Sequence, residues 1–186
     1  KNLFYTVSDI ERAGDHAENI AELAETLSKN SGSFSKKGKA DLELISAQTM
    51  QSLQIAVESR ETGSVKSANA VRVLEQSVDQ LEEEMREKHI RRLSKGKCDP
   101  ESGVIFLDII SNLERIGDHA VNLAEYGDDM RKWEIDFSDT VKEELNEMKA
   151  QCIAALDNLK EVTSENVERI LSLGSYHRAE NGRYAG

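Results

Sequence analysis

Apolar residues recur every three to four positions along most of this chain, and almost nothing interrupts them: 186 residues contain one proline, Pro100, and only 5% are aromatic. A 3.6-residue period with so few breakers and strand formers reads as an all-α chain. The pattern divides into helices over about 2–29, 37–61, 65–95, 100–130 and 138–161, with a short further helix over Ser164–Leu173. The first carries an apolar seam of Leu3, Val7, Ile10, Gly14, Ala17, Ala21 and Ala24, and Gly32 is its expected stop. The fourth has the clearest start, with Asp99 as N-cap and Pro100 at the first helical position, where a missing N–H costs nothing. Short loops between long amphipathic helices predict an antiparallel up-and-down bundle. Residues 1–130 form its main body, 131–173 an additional helical part packed on it, and 174–186 a polar tail expected to be disordered.

A formal net charge of −11 excludes general nucleic-acid binding, which needs a basic surface to displace condensed counterions. The two cysteines, Cys98 and Cys152, form no metal-ligand doublet and no disulfide framework, so a reducing compartment is expected. No apolar run reaches the roughly 20 residues that span a bilayer. The chain opens at Lys1 inside a running helical pattern and is read as a piece of a longer protein.

The chain also repeats itself. Ser8-Asp9-Ile10-Glu11-Arg12-Ala13-Gly14-Asp15-His16-Ala17-Glu18-Asn19-Ile20-Ala21-Glu22 returns as Ser111-Asn112-Leu113-Glu114-Arg115-Ile116-Gly117-Asp118-His119-Ala120-Val121-Asn122-Leu123-Ala124-Glu125, an offset of 103 from Glu11 to Glu114. Shared packing would preserve the apolar positions; here Glu, Arg, Asp, His and Asn coincide as well. Glu11 and Asp15 are i, i+4 neighbours on one helix face, as are Glu114 and Asp118. Such like-charge pairs cost roughly 0.2–0.5 kcal/mol each where a Glu–Lys pair would gain as much, unless a cation lies between them. A third pair, Glu75 and Asp79, lies on the third helix, with Glu82 continuing it. Any one such pair is ordinarily a solvated face. Three, two of them inside a long polar repeat, point to carboxylates converging across a helix interface on hard or borderline metal ions. His16 and His119 are expected to be hydrogen-bonded beside the ligands, Arg12 and Arg115 to project away from the acidic face, and Gly14 and Gly117 to mark close helix approach.

The duplicated Glu-Arg-(Ala/Ile)-Gly-Asp-His-Ala-x-Asn-(Ile/Leu)-Ala-Glu resembles the signature of the PhoU family, helical proteins of bacterial phosphate regulation. The likeness runs through roughly residues 3–130, and the stretch from Arg86 to Asp108 is most similar to the PhoU-like C-terminal domain of sodium/phosphate cotransporters. The resemblance implies repeated three-helix units that bind multinuclear metal clusters, iron or zinc first among them. It carries the metal role to Glu75, Asp79, Glu114 and Asp118, and to Glu11 and Asp15. A full domain would place two more helices before the first helix here, so one unit is incomplete or is completed by another subunit.

The function implied is a non-enzymatic, metal-binding regulatory domain in phosphate transport. It would be cytoplasmic, tethered to the inner membrane through the transmembrane part of a sodium/phosphate symporter, and a homo-oligomer. The alternatives are a stand-alone PhoU-type negative regulator of an ABC phosphate transporter and its sensor kinase, or a purely structural helical interaction module. A ferritin-like di-iron enzyme would need Glu three residues before a ligand His, and none of His16, His89, His119 or His177 has one. The basic clusters Ser35–Lys39 and Arg91–Lys97 are read as helix-end charges, with contact to lipid phosphates or a transporter loop as the alternative.

Overall fold

The computed structural model describes residues 2–132, 143–158 and 161. Four long helices, α1 (Asn2–Lys29), α2 (Lys36–Thr62), α3 (Val65–Leu93) and α4 (Pro100–Lys132), are followed by α5 over residues 143–158. No strand occurs among the described residues, and the expected all-α fold is the one found. The boundaries of α1 to α4 fall within two residues of the expected ones, with α4 beginning at Pro100 as read, and α5 is described over 143–158. The short helix expected over Ser164–Leu173 and the tail at 174–186 lie outside the described residues.

Local chemistry sets the helix ends. Ser35 and Ser64 cap α2 and α3 by accepting the N–H of Gly38 and Ser67. The Asp99 carboxylate accepts the N–H of Ser102 at 2.8 Å, as the Asp-Pro signal predicts. Gly63 ends α2 in the left-handed region at φ 63, and its N–H returns to Ser59 O. At the end of α1 it is Ser31 that takes the positive φ, 53, while Gly32 is there for room: a Cβ on it would sit 2.7 Å from Leu27 Cδ1 and 2.8 Å from Ser102 Oγ.

Helices α2, α3 and α4 pack on one another as a three-helix unit, and α1 packs along α4. Chain neighbours were expected to lie side by side, which holds for α2–α3 and α3–α4 but not for α1–α2. The six residues between α1 and α2 are long enough to step across, and α1 packs on α4 instead, touching α2 where Arg60 Nη2 donates to Thr6 Oγ1 at 2.9 Å. The core runs through the whole assembly, with Ile20, Ile45, Leu53, Val71, Phe106 and Leu123 sealed from solvent. No helix of the described residues is long and apolar enough to cross a membrane.

The polar repeat has a structural use that spacing did not reveal. Asp9 Oδ1 on α1 receives His119 Nδ1 at 2.7 Å and Asn122 Nδ2 at 3.1 Å from α4. Asn112 Oδ1 on α4 pairs with His16 Nδ1 at 2.9 Å and accepts Asn19 Nδ2 at 3.2 Å from α1. Shifted by 103, each set becomes the other, so the repeats clasp each other antiparallel about a local two-fold, with the two imidazoles stacked between them at 5.7 Å. Asp9 is 7% exposed, and truncating it strands two donors in a half-dry interface. Asp9→Ala is expected to lose about 1–3 kcal/mol in urea unfolding monitored by circular dichroism.

Candidate metal centre

On α3, Val71, Val78 and Met85 are buried and fix which face meets α4. Glu75 and Asp79 lie beside that stripe and therefore come to the edge of the α3–α4 interface, where α4 presents Glu114 and Asp118 beside its own buried Leu113, Ile116 and Ala120. The structure draws Glu75, Asp79 and Asp118 together: one carboxylate oxygen of each lies within 4.8 Å of the others. Glu75 and Asp118 are half-buried and Asp79 is exposed, so the cluster opens to solvent on one side. Glu114 stands one helical turn before Asp118 at the edge of this group.

Electrostatics mark the same place. Burial, aided by the neighbouring carboxylates of Asp118, Asp79 and Glu82 and opposed by the Arg115 guanidinium, pushes Glu114 up to about 7. Burial and the charges of Asp79 and Asp118 hold Glu75 above the usual carboxylate range. An all-carboxylate donor set whose protonation is favoured for want of a counter-charge fits a hard cation. Two arginines stand in part for one. Arg115, expected to project away, lies 3.4 Å from Glu114 and 3.6 Å from Asp118, because its long side chain spans the distance to residues one and three positions away. Arg86 pairs with Glu82 one turn along α3. Arg115 was legible only as the fixed residue after each repeated Glu.

The other sequence-predicted residues fall elsewhere. Glu11 and Asp15 are exposed on α1 and line a groove of about 720 Å³ whose far wall is α5, with Glu144 and Glu147. Among the described residues, no group of three ligand atoms converges there. His16 and His119 hold the α1–α4 clasp, and Asp9 and Asn112, which complete it, were not singled out from the sequence. The glycines are less demanding than expected. A Cβ on Gly117 would meet Val78 Cγ1 at an ordinary 3.7 Å, and one on Gly14 would meet the flexible end of Gln151 at 3.1 Å. Cys152, buried in the core, is a free thiol that burial pushes up to about 12.

Residues 42–127, which hold α3 and most of α2 and α4, match the family model described as the PhoU domain. The chain is 30% identical over 118 residues to the phosphate-specific transport system accessory protein PhoU homolog 1 of Thermotoga maritima, covering 63% of this chain and 50% of that protein. It is 28% identical over 123 residues to an uncharacterized protein of Deinococcus radiodurans, covering 66% of this chain and 44% of that one. It thus spans about half the length of the curated relatives it matches. No solved structure matches it at comparable significance.

A carboxyl whose folded pKa lies above its unfolded value contributes stability at low pH and loses it as pH rises through the folded value. For Glu114 that window runs from its ordinary 4.5 to about 7. In chelator, Glu114→Gln is therefore expected to match wild type in thermal midpoint near pH 4.5 and to exceed it above pH 7. Scanning calorimetry across that range checks the sign, and equal midpoints at high pH would remove the carboxylate strain from the account.

Proposed function

We propose that this PhoU-like chain is a metal-binding regulatory domain in phosphate homeostasis, acting on the membrane part of a phosphate transporter. The observation that carries the metal reading is the convergence of Glu75, Asp79 and Asp118 across the α3–α4 interface, inside the segment that matches the PhoU domain. Glu114 would join them once deprotonated, and Arg115 would swing away as the cation supplies the counter-charge. The bound ions would cross-link α3 to α4 and replace carboxylate repulsion with attraction, so the domain's rigidity follows metal supply. Iron or zinc in a multinuclear cluster suits bridging carboxylates. Glu11 and Asp15, facing Glu144 and Glu147 across the α1–α5 groove, would hold a second and weaker site.

The regulatory role rests on the relative named as an accessory protein of a phosphate-specific transport system. The sodium/phosphate symporter as the partner, the inner-membrane tether and the homo-oligomer rest on the likeness of the Arg86–Asp108 stretch and on the open α1–α5 groove. No residue is given a catalytic role in this reading, which follows the relative named as an accessory protein of a transport system.

Elemental mass spectrometry of protein purified without chelator or metal-affinity resin tests the assignment. Wild type is expected to carry iron or zinc, Asp79→Asn/Asp118→Asn to lose it at least tenfold, and Asp15→Asn to keep the α3–α4 share. Metal-free wild type, even after reconstitution with iron, zinc and calcium, would leave a helical interaction module in its place.

A further inference from the structure

The loops α1–α2 and α3–α4 meet at one end of the bundle around a second cavity of about 260 Å³. It lies about 15 Å along α3 from the carboxylate cluster, the rise of the ten residues from Asp79 to His89. Its walls include Phe34, His89, Lys97, Ser102 and Phe106. His89 is 4% exposed and its ring stacks on Phe106 at 4.5 Å.

The polar groups of this cavity are short of acceptors. His89 Nδ1 lies 3.3 Å from Arg92 Nη2. A guanidinium has donors and no acceptor, so Nδ1 must be the accepting nitrogen and the imidazole proton is on Nε2. That Nε2 is buried and has no hydrogen-bond partner among the described residues, while the hydroxyl of Ser102, a residue 5% exposed, has the Asp99 carboxylate as its neighbouring acceptor. Buried donors without acceptors are rare in folded proteins. The Asp99 carboxylate at the rim is exposed and is occupied in capping α4.

Lysines stand near the cavity, whose lining also holds the Asp99 carboxylate. In a chain of net charge −11, the first turn of α2 holds Lys36 and Lys37 and no acidic residue, although lysines at a helix N-terminus oppose its dipole. Lys95 and Lys97 stand on the other loop, and none of these four exposed lysines is in an ion pair among the described residues. Burial and the neighbouring Arg92 keep His89 neutral to lower pH than usual, despite Asp41, so its Nε2 acts as a neutral donor near pH 7.

We propose that this cavity is a binding site for a small oxyanion of the phosphate class, free phosphate or a phosphate monoester, held by His89 Nε2–H, the Ser102 hydroxyl and the Lys97 ammonium. The anion supplies the acceptor that His89 Nε2 lacks and the counter-charge that the lysines lack, and the Ser102 hydroxyl can turn to it from Asp99. The volume leaves room for an organic group on the phosphate. The site does not depend on metal at α3–α4.

Inorganic phosphate titrated calorimetrically into the chelator-treated full chain tests this at low ionic strength. Wild type and Asp79→Asn/Asp118→Asn are expected to bind alike, and Ser102→Ala and Lys97→Gln each to weaken binding at least tenfold. A parallel co-sedimentation with phosphatidylcholine vesicles, with and without phosphatidic acid, identifies the source. Heat of binding without co-sedimentation assigns free phosphate, and co-sedimentation displaced by phosphate assigns a lipid headgroup. The proposal falls if neither probe binds, if binding survives both Ser102→Ala and Lys97→Gln unchanged, or if only Asp79→Asn/Asp118→Asn abolishes it. Because Ser102→Ala removes one buried oxygen and Lys97 lies in an exposed loop, neither variant threatens the fold that the test requires.

Discussion

The α1–α4 clasp is the interaction around which the molecule is organised. Helix α4 packs against α1, α2 and α3, and the two copies of the repeat determine how it meets α1, each acceptor side chain taking two donors from the opposite helix. Two apolar seams of small residues could slide past one another at little cost, since hydrophobic burial has no direction. Paired amides and imidazoles cannot, because a slip of one turn leaves the buried Asp9 and its half-buried partners unsatisfied at once. The clasp therefore sets the register, and with it where the acidic residues of each repeat stand.

That register separates two chemistries that neighbour each other in sequence. Asp118 and His119 are consecutive, yet one looks toward α3 and the carboxylates while the other holds α1. The 100° step between adjacent helical residues is what allows one short motif to build an interface and a charged site on different faces. The acidic face is maintained against its own repulsion, which is why the protons of Glu75 and Glu114 are held so firmly, and groups of this kind commonly trade stability for binding. One end of the bundle shows the complementary pattern, with a donor short of an acceptor and lysines in place of surplus carboxylates.

Much of this was legible in the sequence because it is governed by local rules. The 3.6-residue period located the helices, Asp99-Pro100 marked the start of α4, and the spacing of Glu75–Asp79 and Glu114–Asp118 placed acidic pairs on faces that do meet. What was not legible depends on relations between distant elements. That α1 skips α2 for α4 follows from pairings 93 to 113 residues apart, and the short loop pointed the other way. Asp9 and Asn112 differ in type, so the repeat hid their equivalence until their partners were seen. Arg115 was misjudged because face arithmetic tracks Cβ directions, while a long side chain can bend back over its neighbours. The donor at His89 carries no sequence signal at all, since a missing partner is visible only in space.

The position of α1 also bears on how the chain is made. Its main packing surface, α4, begins about 70 residues after α1 ends, and the clasp pairs residues roughly 100 apart. At a synthesis rate of about 5–20 residues per second, α1 leaves the ribosome some 5–20 s before the motif that fixes it. Helices α2 and α3 can pair in that interval through their tight turn, whereas α1 must wait for α4. The order of assembly is thus written into the connectivity: α1 is made before α2 and α3, yet it meets its main partner after they have paired.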